Sequence, residues 1–189
     1  MSLTVEYIEN SGLRTRVLRA EGHRQHVVFL HGIGARGERW RDAAEGCVEA
    51  GHPALALDFP GHGGSTKGDG PDYNSPGFAR AVAAVLDECG VAEACVVGTS
   101  LGGHVAALLA LARPDLVERL VLVGPLGFVP LGDQASATMA QAVVDTGRAG
   151  IEAKLRRLVY DDARLVTPDW SMPSSRSTTR QGHPTRCVN

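Results

Sequence analysis

The pentapeptide Gly-Thr-Ser-Leu-Gly at residues 98–102 constrains the fold more than any other feature of this sequence. An apolar run at 94–97 precedes it and is typical of a buried strand, and residues 103–112 after it are rich in helix formers. A serine between such elements occupies a sharp strand-to-helix turn that lifts its hydroxyl clear of the sheet. The pattern predicts that Ser100 is a nucleophile, beside a helix N-terminus that favours developing negative charge. The alternative is a glycine-rich turn of an ordinary parallel sheet.

Apolar runs alternate with helical patterns along the first two thirds of the chain. The first two strand patterns alternate apolar and polar residues around 10–12, which predicts an antiparallel hairpin. The later runs are continuously apolar, as in strands covered on both faces. Together they predict an α/β fold with a mostly parallel sheet and flanking helices. The strands are predicted at 4–8, 13–19, 27–30, 54–58, 94–97 and 120–123, and the last four of them are predicted to be buried. The helices are predicted at 38–50, 78–89 and 103–112.

A second motif, His-Gly-Ile-Gly at 31–34, follows directly on the strand at 27–30. Glycines there let backbone N–H groups approach a ligand at the carboxyl edge of the sheet, where open α/β sheets bind ligands. The N–H groups of Ile33 and Leu101 are predicted to form a two-donor oxyanion hole. We expect His31 to support this loop by hydrogen bonding rather than to act as a base.

A third motif at 58–65 ends the next strand with a proline and three glycines, which favours an ordered turn. Asp58 is expected to brace backbone N–H groups in this turn. Two nearby histidines have structural interpretations: His62 as a loop residue with structural hydrogen bonds, and His104 as a packing residue on the helix after Ser100. The residues expected to support the site are His31, Gly32, Gly34, Asp58, Gly98 and Gly102.

The motifs at 31–34, 58–65 and 98–103, in this order and on these strands, resemble those of the α/β-hydrolase superfamily. The resemblance covers residues 4–130. It implies that Ser100 is the nucleophile of a serine hydrolase that acts on an ester or related carbonyl substrate through an acyl-enzyme. Carbon–carbon bond hydrolases and perhydrolases use the same frame, so the reaction subtype stays open.

The pattern changes after the strand at 120–123, because no further buried strand is visible. We expect a hydrolase core at 1–130, a partial helical lid at 131–170 and a disordered tail at 171–189, with the C-terminal core strands missing. The segment 158–168 resembles part of the lid of lidded esterases and carbon–carbon bond hydrolases. The low apolar content of the tail is typical of disordered segments.

The acid and the base of a catalytic triad have no clear position in this sequence. In the superfamily the chain order is nucleophile, acid, histidine, with the last two on loops after further core strands. The candidates here are Asp133, which follows the strand at 120–123, and His183, which lies in a Gly-His-Pro context. The alternatives to an active enzyme are a non-catalytic small-molecule binding protein and an inactive, truncated or frame-shifted chain.

Composition limits the partners. The 189 residues suffice for a domain with a core, and the net charge of −2 disfavours a nucleic-acid partner. No apolar run approaches the roughly 20 residues of a bilayer span. The four cysteines lack metal-ligand spacing. We expect a small-molecule substrate, no cofactor, no metal, no membrane partner and, without a visible signal peptide, a cytoplasmic location.

Overall fold

The computed structural model describes residues 2–128, 132–134, 136–138, 149, 150, 153 and 156. Residues 2–128 belong to one compact unit, and the later described residues belong to a second. In the second unit, the described residues from 133 onward are helical, as predicted for that part of the chain. The predicted tail and most of the predicted lid lie outside the described residues, so the domain boundaries stay a prediction.

The described residues form one six-stranded sheet, and its mostly parallel character is confirmed. Its spatial order is β1-β2-β4-β3-β5-β6. The pairs β1–β2 and β2–β4 are antiparallel, whereas β3–β4, β3–β5 and β5–β6 are parallel. The strands are β1 (Thr4–Asn10), β2 (Leu13–Ala20), β3 (His26–Leu30), β4 (Ala54–Leu57), β5 (Ala94–Thr99) and β6 (Val117–Val123).

Within residues 2–128, three α-helices cover the sheet: α1 (Arg41–Glu49), α2 (Ser75–Glu88) and α3 (Leu101–Ala112). The first predicted helix begins instead with a 3₁₀ turn, Gly37–Trp40. The second begins three residues before its predicted start, because the Asn74 side chain accepts a hydrogen bond from the Gly77 N–H at 2.7 Å and caps the helix. None of the helices in the described residues is long and apolar enough to cross a membrane.

The core lies on both faces of the sheet because successive strand residues point to opposite sides. In β3, Val28 and Leu30 belong to the cluster that includes residues of α2 and α3. The alternate residues Val27 and Phe29 belong to a second cluster, which includes residues of α1. The central strands β3 and β4 are thus held between helices, and their carboxyl ends are fixed in position.

The prediction of a buried strand at 120–123 is wrong in one respect. The strand forms as β6, but Leu120, Val121 and Val123 are 38%, 44% and 50% exposed. The reason is topological, since β6 is the last strand of the described sheet and pairs only with β5. Its Val117 and Leu122 pack partly against the core, and the rest of its apolar side chains meet no cover among the described residues.

Candidate active site

Ser100 occupies the turn between β5 and α3 in a conformation that non-glycine residues rarely adopt. Its φ and ψ are 53° and −119°. The turn is fixed by backbone hydrogen bonds, in which the Ser100 N–H donates to the Val123 carbonyl at 3.1 Å and the Ser100 carbonyl accepts from the N–H groups of His104 and Leu126. Strain of this kind costs on the order of 1–3 kcal/mol and persists only where surrounding structure enforces it.

The two glycines of the pentapeptide are required by close packing. A Cβ added at Gly98 would lie against the Gly102 carbonyl, and one added at Gly102 would lie against the Leu30 carbonyl, both well inside the 3.0 Å that real Cβ atoms respect. These contacts bring the start of α3 directly over the end of β3. Leu101 is the first residue of α3, where a backbone N–H has no acceptor within its own helix.

The loop after β3 lies beside the serine. A Cβ built on Gly32 would be 3.3 Å from Ser100 Cβ and 3.8 Å from Ser100 Oγ. The loop closes as a tight turn in which the Ala35 N–H donates to the Gly32 carbonyl at 3.1 Å, with Gly34 at φ 67°. The backbone at Gly32, one residue before Ile33, is therefore adjacent to the serine side chain.

His31 is fully buried beneath this loop, with both ring nitrogens hydrogen bonded. Its Nδ1 lies 2.7 Å from the Gly32 carbonyl oxygen, and its Nε2 lies 3.0 Å from the Phe59 N–H nitrogen. The carbonyl requires a proton on Nδ1, which leaves Nε2 as the acceptor. Burial lowers the pKa of His31 to about 4, so the ring is neutral near pH 7. It links the loops after β3 and β4 and has no nitrogen left for Ser100.

His62 holds the same loop from its other side. The Gly34 N–H donates to His62 Nε2 at 3.2 Å, and His62 Nδ1 lies 3.1 Å from the Pro60 carbonyl oxygen. The His62 ring lies 5.0 Å from that of His31, centroid to centroid, and packs edge-on against Phe78. Sequence reasoning gave His62 a structural role within its own loop, without this contact to the loop beside Ser100.

Asp58 follows β4 and is fully buried, where its carboxylate gathers donors from three segments. Oδ1 accepts from the Gly37 N–H at 2.6 Å, and Oδ2 accepts from the Gly64 N–H at 2.8 Å and from Arg16 at 3.3 Å. The Asp58 carbonyl also accepts from the Ser65 hydroxyl at 2.7 Å. These bonds fix the loop after β4, and with it the backbone that carries the histidine contacts.

An ion network behind Asp58 was missed by sequence reasoning. Arg16 on β2 binds Glu38 through two nitrogens, at 2.7 and 3.0 Å, and Arg41 also donates to Glu38. Burial raises the pKa of Glu38, but the hydrogen bonds and charges of Arg16 and then Arg41 outweigh it and lower that pKa overall. The network ties β2 and the 3₁₀ turn to Asp58. The local sequence does not predict that Arg16 and Glu38 pair, because β2 and the 3₁₀ turn become neighbours only in the folded sheet.

The loop after β6 encloses the serine turn from the opposite side. His104 Nδ1 lies 2.9 Å from the Leu126 carbonyl oxygen, and the Thr99 hydroxyl donates to the Val123 carbonyl at 3.1 Å. A side chain at Gly127 would collide with the His104 ring. His104 thus fastens this loop to α3.

The described residues bring no general base to the serine. Within them, no hydrogen bond joins Ser100 Oγ to an imidazole nitrogen. Asp133 is a helical residue of the second compact unit, and His183 lies outside the described residues. No group of three or more His, Cys, Asp or Glu side chains in the described part of the chain has the geometry of a metal site.

The comparison with known families matches this architecture. A family model described as alpha/beta hydrolase fold matches residues 25–183, which is most of the chain. The chain therefore belongs to the α/β-hydrolase family, as the resemblance of its motifs implied.

Curated relatives carry several different activities. An acetyltransferase component of the acetoin cleaving system of Cupriavidus necator is 33% identical over 86% of this chain and 42% of its own length. An esterase of Mycobacterium tuberculosis is 42% identical over 56% of this chain and 35% of its own length. A 2-hydroxy-6-oxononadienedioate/2-hydroxy-6-oxononatrienedioate hydrolase of Burkholderia vietnamiensis is 33% identical over 74% of this chain and 51% of its own length. The chain thus spans about half or less of each of these relatives.

Solved structures agree on the fold. A bacterial membrane phospholipase A superposes with a TM-score of 0.74 at 26% identity, covering 84% of this chain and 52% of that one. An N-acyl homoserine lactonase superposes with a TM-score of 0.69 at 28% identity, covering 82% of this chain and 58% of that one.

Proposed function

We propose that this chain carries the nucleophile and the oxyanion hole of a serine hydrolase that cleaves a small-molecule ester. The observation that carries the proposal is the strained Ser100 turn, φ 53°, with Gly32 packed against its side chain. Strain at a residue with a reactive hydroxyl, beside a glycine loop and a helix N-terminus, is the arrangement that acyl transfer needs.

The proposed reaction has two steps. Ser100 Oγ attacks the ester carbonyl carbon, its proton passes to a general base, and the negative charge on the carbonyl oxygen meets the N–H groups of Ile33 and Leu101. The C–O bond to the alcohol then breaks, and the alcohol leaves with the proton. Water attacks the acyl-enzyme, releases the carboxylic acid and restores the hydroxyl. Asp133 and His183 remain the candidates for acid and base.

The substrate class rests on the relatives. An esterase and a 2-hydroxy-6-oxononadienedioate/2-hydroxy-6-oxononatrienedioate hydrolase are among them. Ester hydrolysis is the simpler proposal because it asks only for a nucleophile, a base and an oxyanion hole. We propose a cytoplasmic location, to which the reduced thiols of Cys47 and Cys95 lend support, since cytosolic thiols are kept reduced.

A non-catalytic small-molecule binding protein is the second candidate. It is favoured by the lack, among the described residues, of an imidazole hydrogen bonded to Ser100 Oγ. A serine without a base is a poor nucleophile, because its neutral hydroxyl keeps its proton.

Hydrolysis of p-nitrophenyl acetate and butyrate by the purified chain separates the two candidates. The hydrolase predicts saturable turnover that falls to background in Ser100→Ala. Ser11 offers a matched control, because it is the other described non-glycine residue with positive φ, at 49°, and lies in the β1–β2 turn. Ser11→Ala should keep full activity. A folded wild-type chain without turnover would favour the binding protein.

A further inference from the structure

His62, from the third motif, binds the loop beside Ser100 through the Gly34 N–H. Because the peptide bond is planar, a carbonyl and the next residue's N–H point in opposite directions across a trans peptide. Fixing the carbonyl of one residue therefore fixes the direction of the following N–H.

The peptide between Gly32 and Ile33 is fixed in this way. The Gly32 carbonyl accepts hydrogen bonds from His31 Nδ1 at 2.7 Å and from the Ala35 N–H at 3.1 Å. Its direction is set by a buried ring and by the closing bond of the turn. The Ile33 N–H points the opposite way.

The next peptide, between Ile33 and Gly34, has its own anchor. Its N–H belongs to Gly34 and donates to His62 Nε2 at 3.2 Å. The His62 ring is itself held, with Nδ1 near the Pro60 carbonyl and its faces and edges against His31 and Phe78. Both peptides that flank the Ile33 Cα are thus bound by imidazoles.

We propose that His62 is a positioning residue of the oxyanion hole, which, together with His31, sets the direction of the Ile33 N–H beside Ser100. The inference rests on the proposed function, since it assigns a task to a loop that serves the serine. His62 acts here through a neutral Nε2 acceptor, in the tautomer with its proton on Nδ1.

Two substitutions separate the acceptor from the rest of the ring. His62→Gln places an amide oxygen near the Nε2 position, whereas His62→Asn reaches only to the Nδ1 position. The inference predicts that His62→Asn lowers kcat for p-nitrophenyl butyrate about tenfold to a hundredfold, with KM changed less than about threefold, because a transition-state donor is misplaced. His62→Gln should keep at least about a third of the wild-type kcat.

Thermal unfolding of the two variants supplies the structural control. A merely structural histidine predicts that kcat follows the amount of folded protein, so that the two variants lose activity only as far as they lose stability. Equal kcat in His62→Asn and His62→Gln, at equal folded fraction, would overturn the inference.

An NMR measurement on the wild-type chain keeps the inference testable without turnover. A ¹⁵N–¹⁵N coupling across the hydrogen bond between the Gly34 amide and His62 Nε2 is expected, as is one between the Phe59 amide and His31 Nε2. A missing Gly34 coupling, with the Phe59 coupling present, would contradict the His62 anchor. A wild type that shows the Gly34 coupling but no turnover would overturn the proposed function and leave the anchor itself supported.

Discussion

The loops after β3 and β4 and the strand β6 flank β5 and its serine turn on opposite sides, and they are built very differently. On the first side, His31 and Asp58 are fully buried, and each binds backbone groups of neighbouring segments. On the second side, Val121 and Val123 of β6 are 44% and 50% exposed. In the described residues, the loop after β3 is thus supported by buried hydrogen bonds, whereas β6 is the last strand of the described sheet.

The difference bears on chemistry. The proposed nucleophile and the proposed oxyanion donors depend on the β3 side, where backbone positions are fixed by buried hydrogen bonds. The acid and base have no counterpart among the described residues of the β6 side. We therefore expect substitutions on the two sides to differ sharply in cost, and matched pairs of variants measure that difference.

The largest expected effect is at the contact between α3 and β3. Gly102→Ala should destabilise the fold by about 3 kcal/mol, because the new Cβ meets the Leu30 carbonyl, which cannot move without shifting β3. Gly46→Ala in α1 is the matched control, since its Cβ would meet nothing within 4 Å. This substitution should increase the free energy of unfolding by as much as about 1 kcal/mol. Urea unfolding measures both. A Gly102→Ala chain as stable as wild type would show that the contact between α3 and β3 is not tightly packed.

The next effect is at the buried carboxylate. Asp58→Asn should lower the free energy of unfolding by about 2–3 kcal/mol. One carboxylate oxygen would be replaced by an amide NH₂ group, which cannot accept a hydrogen bond from the Gly37 N–H or from Arg16. Asp72→Asn is the control, as its carboxylate is 68% exposed and pairs with Arg80 on the surface, where ion pairs contribute little. Comparable unfolding midpoints for the two variants would argue against a special role of Asp58.

His31 predicts a pH dependence of stability. Its pKa in the folded chain is about 4, below the roughly 6.5 of an unfolded chain, so the unfolded state takes up the proton first as the pH falls. The stability linked to neutral His31 is complete above about pH 6.5 and is lost as the pH falls towards 4. Between pH 7 and pH 5 the loss is about 2 kcal/mol. Between pH 7 and pH 5, the free energy of unfolding should therefore fall by about 2 kcal/mol less in His31→Gln than in the wild type. Parallel curves of unfolding free energy against pH for the two proteins would contradict the prediction.

The smallest effect tests the exposed strand itself. Val96→Thr on β5 should cost about 1–2 kcal/mol, since Val96 is fully buried and the hydroxyl gains no partner. Val123→Thr on β6 should change stability by less than about 0.5 kcal/mol, because the site is open to water. Equal costs would mean that the face of β6 is covered in the folded protein.

Much of the fold follows from local patterns. Alternation of apolar and polar residues predicted the β1–β2 hairpin, and continuous apolar runs predicted β3, β4 and β5. The exposure of Val121 was not predictable in this way, because burial of an apolar run depends on its neighbours in space. The 3₁₀ start of the first helix lay beyond local patterning for a similar reason, since Gly37 is placed by its bond to Asp58.

The same distinction between local sequence patterns and contacts formed in space applies to the candidate site. The motifs predicted that Ser100 lies on a strand-to-helix turn and that a glycine loop follows β3, since these patterns consist of adjacent residues. The bond from Gly34 to His62 and the Arg16–Glu38 pair join residues 28 and 22 positions apart. Such pairs depend on strand order and loop closure, which a single sequence does not encode locally.

Covalent labelling of Ser100 tests directly whether this residue is the nucleophile. The intact chain would be incubated with a fluorophosphonate, digested and mapped by mass spectrometry, alongside Ser100→Ala and Ser11→Ala. We expect one phosphonyl adduct on the peptide that contains Ser100, retained in Ser11→Ala and lost in Ser100→Ala. A folded wild-type chain that carries no adduct, or carries it on another residue, would contradict the assignment of Ser100 as the nucleophile.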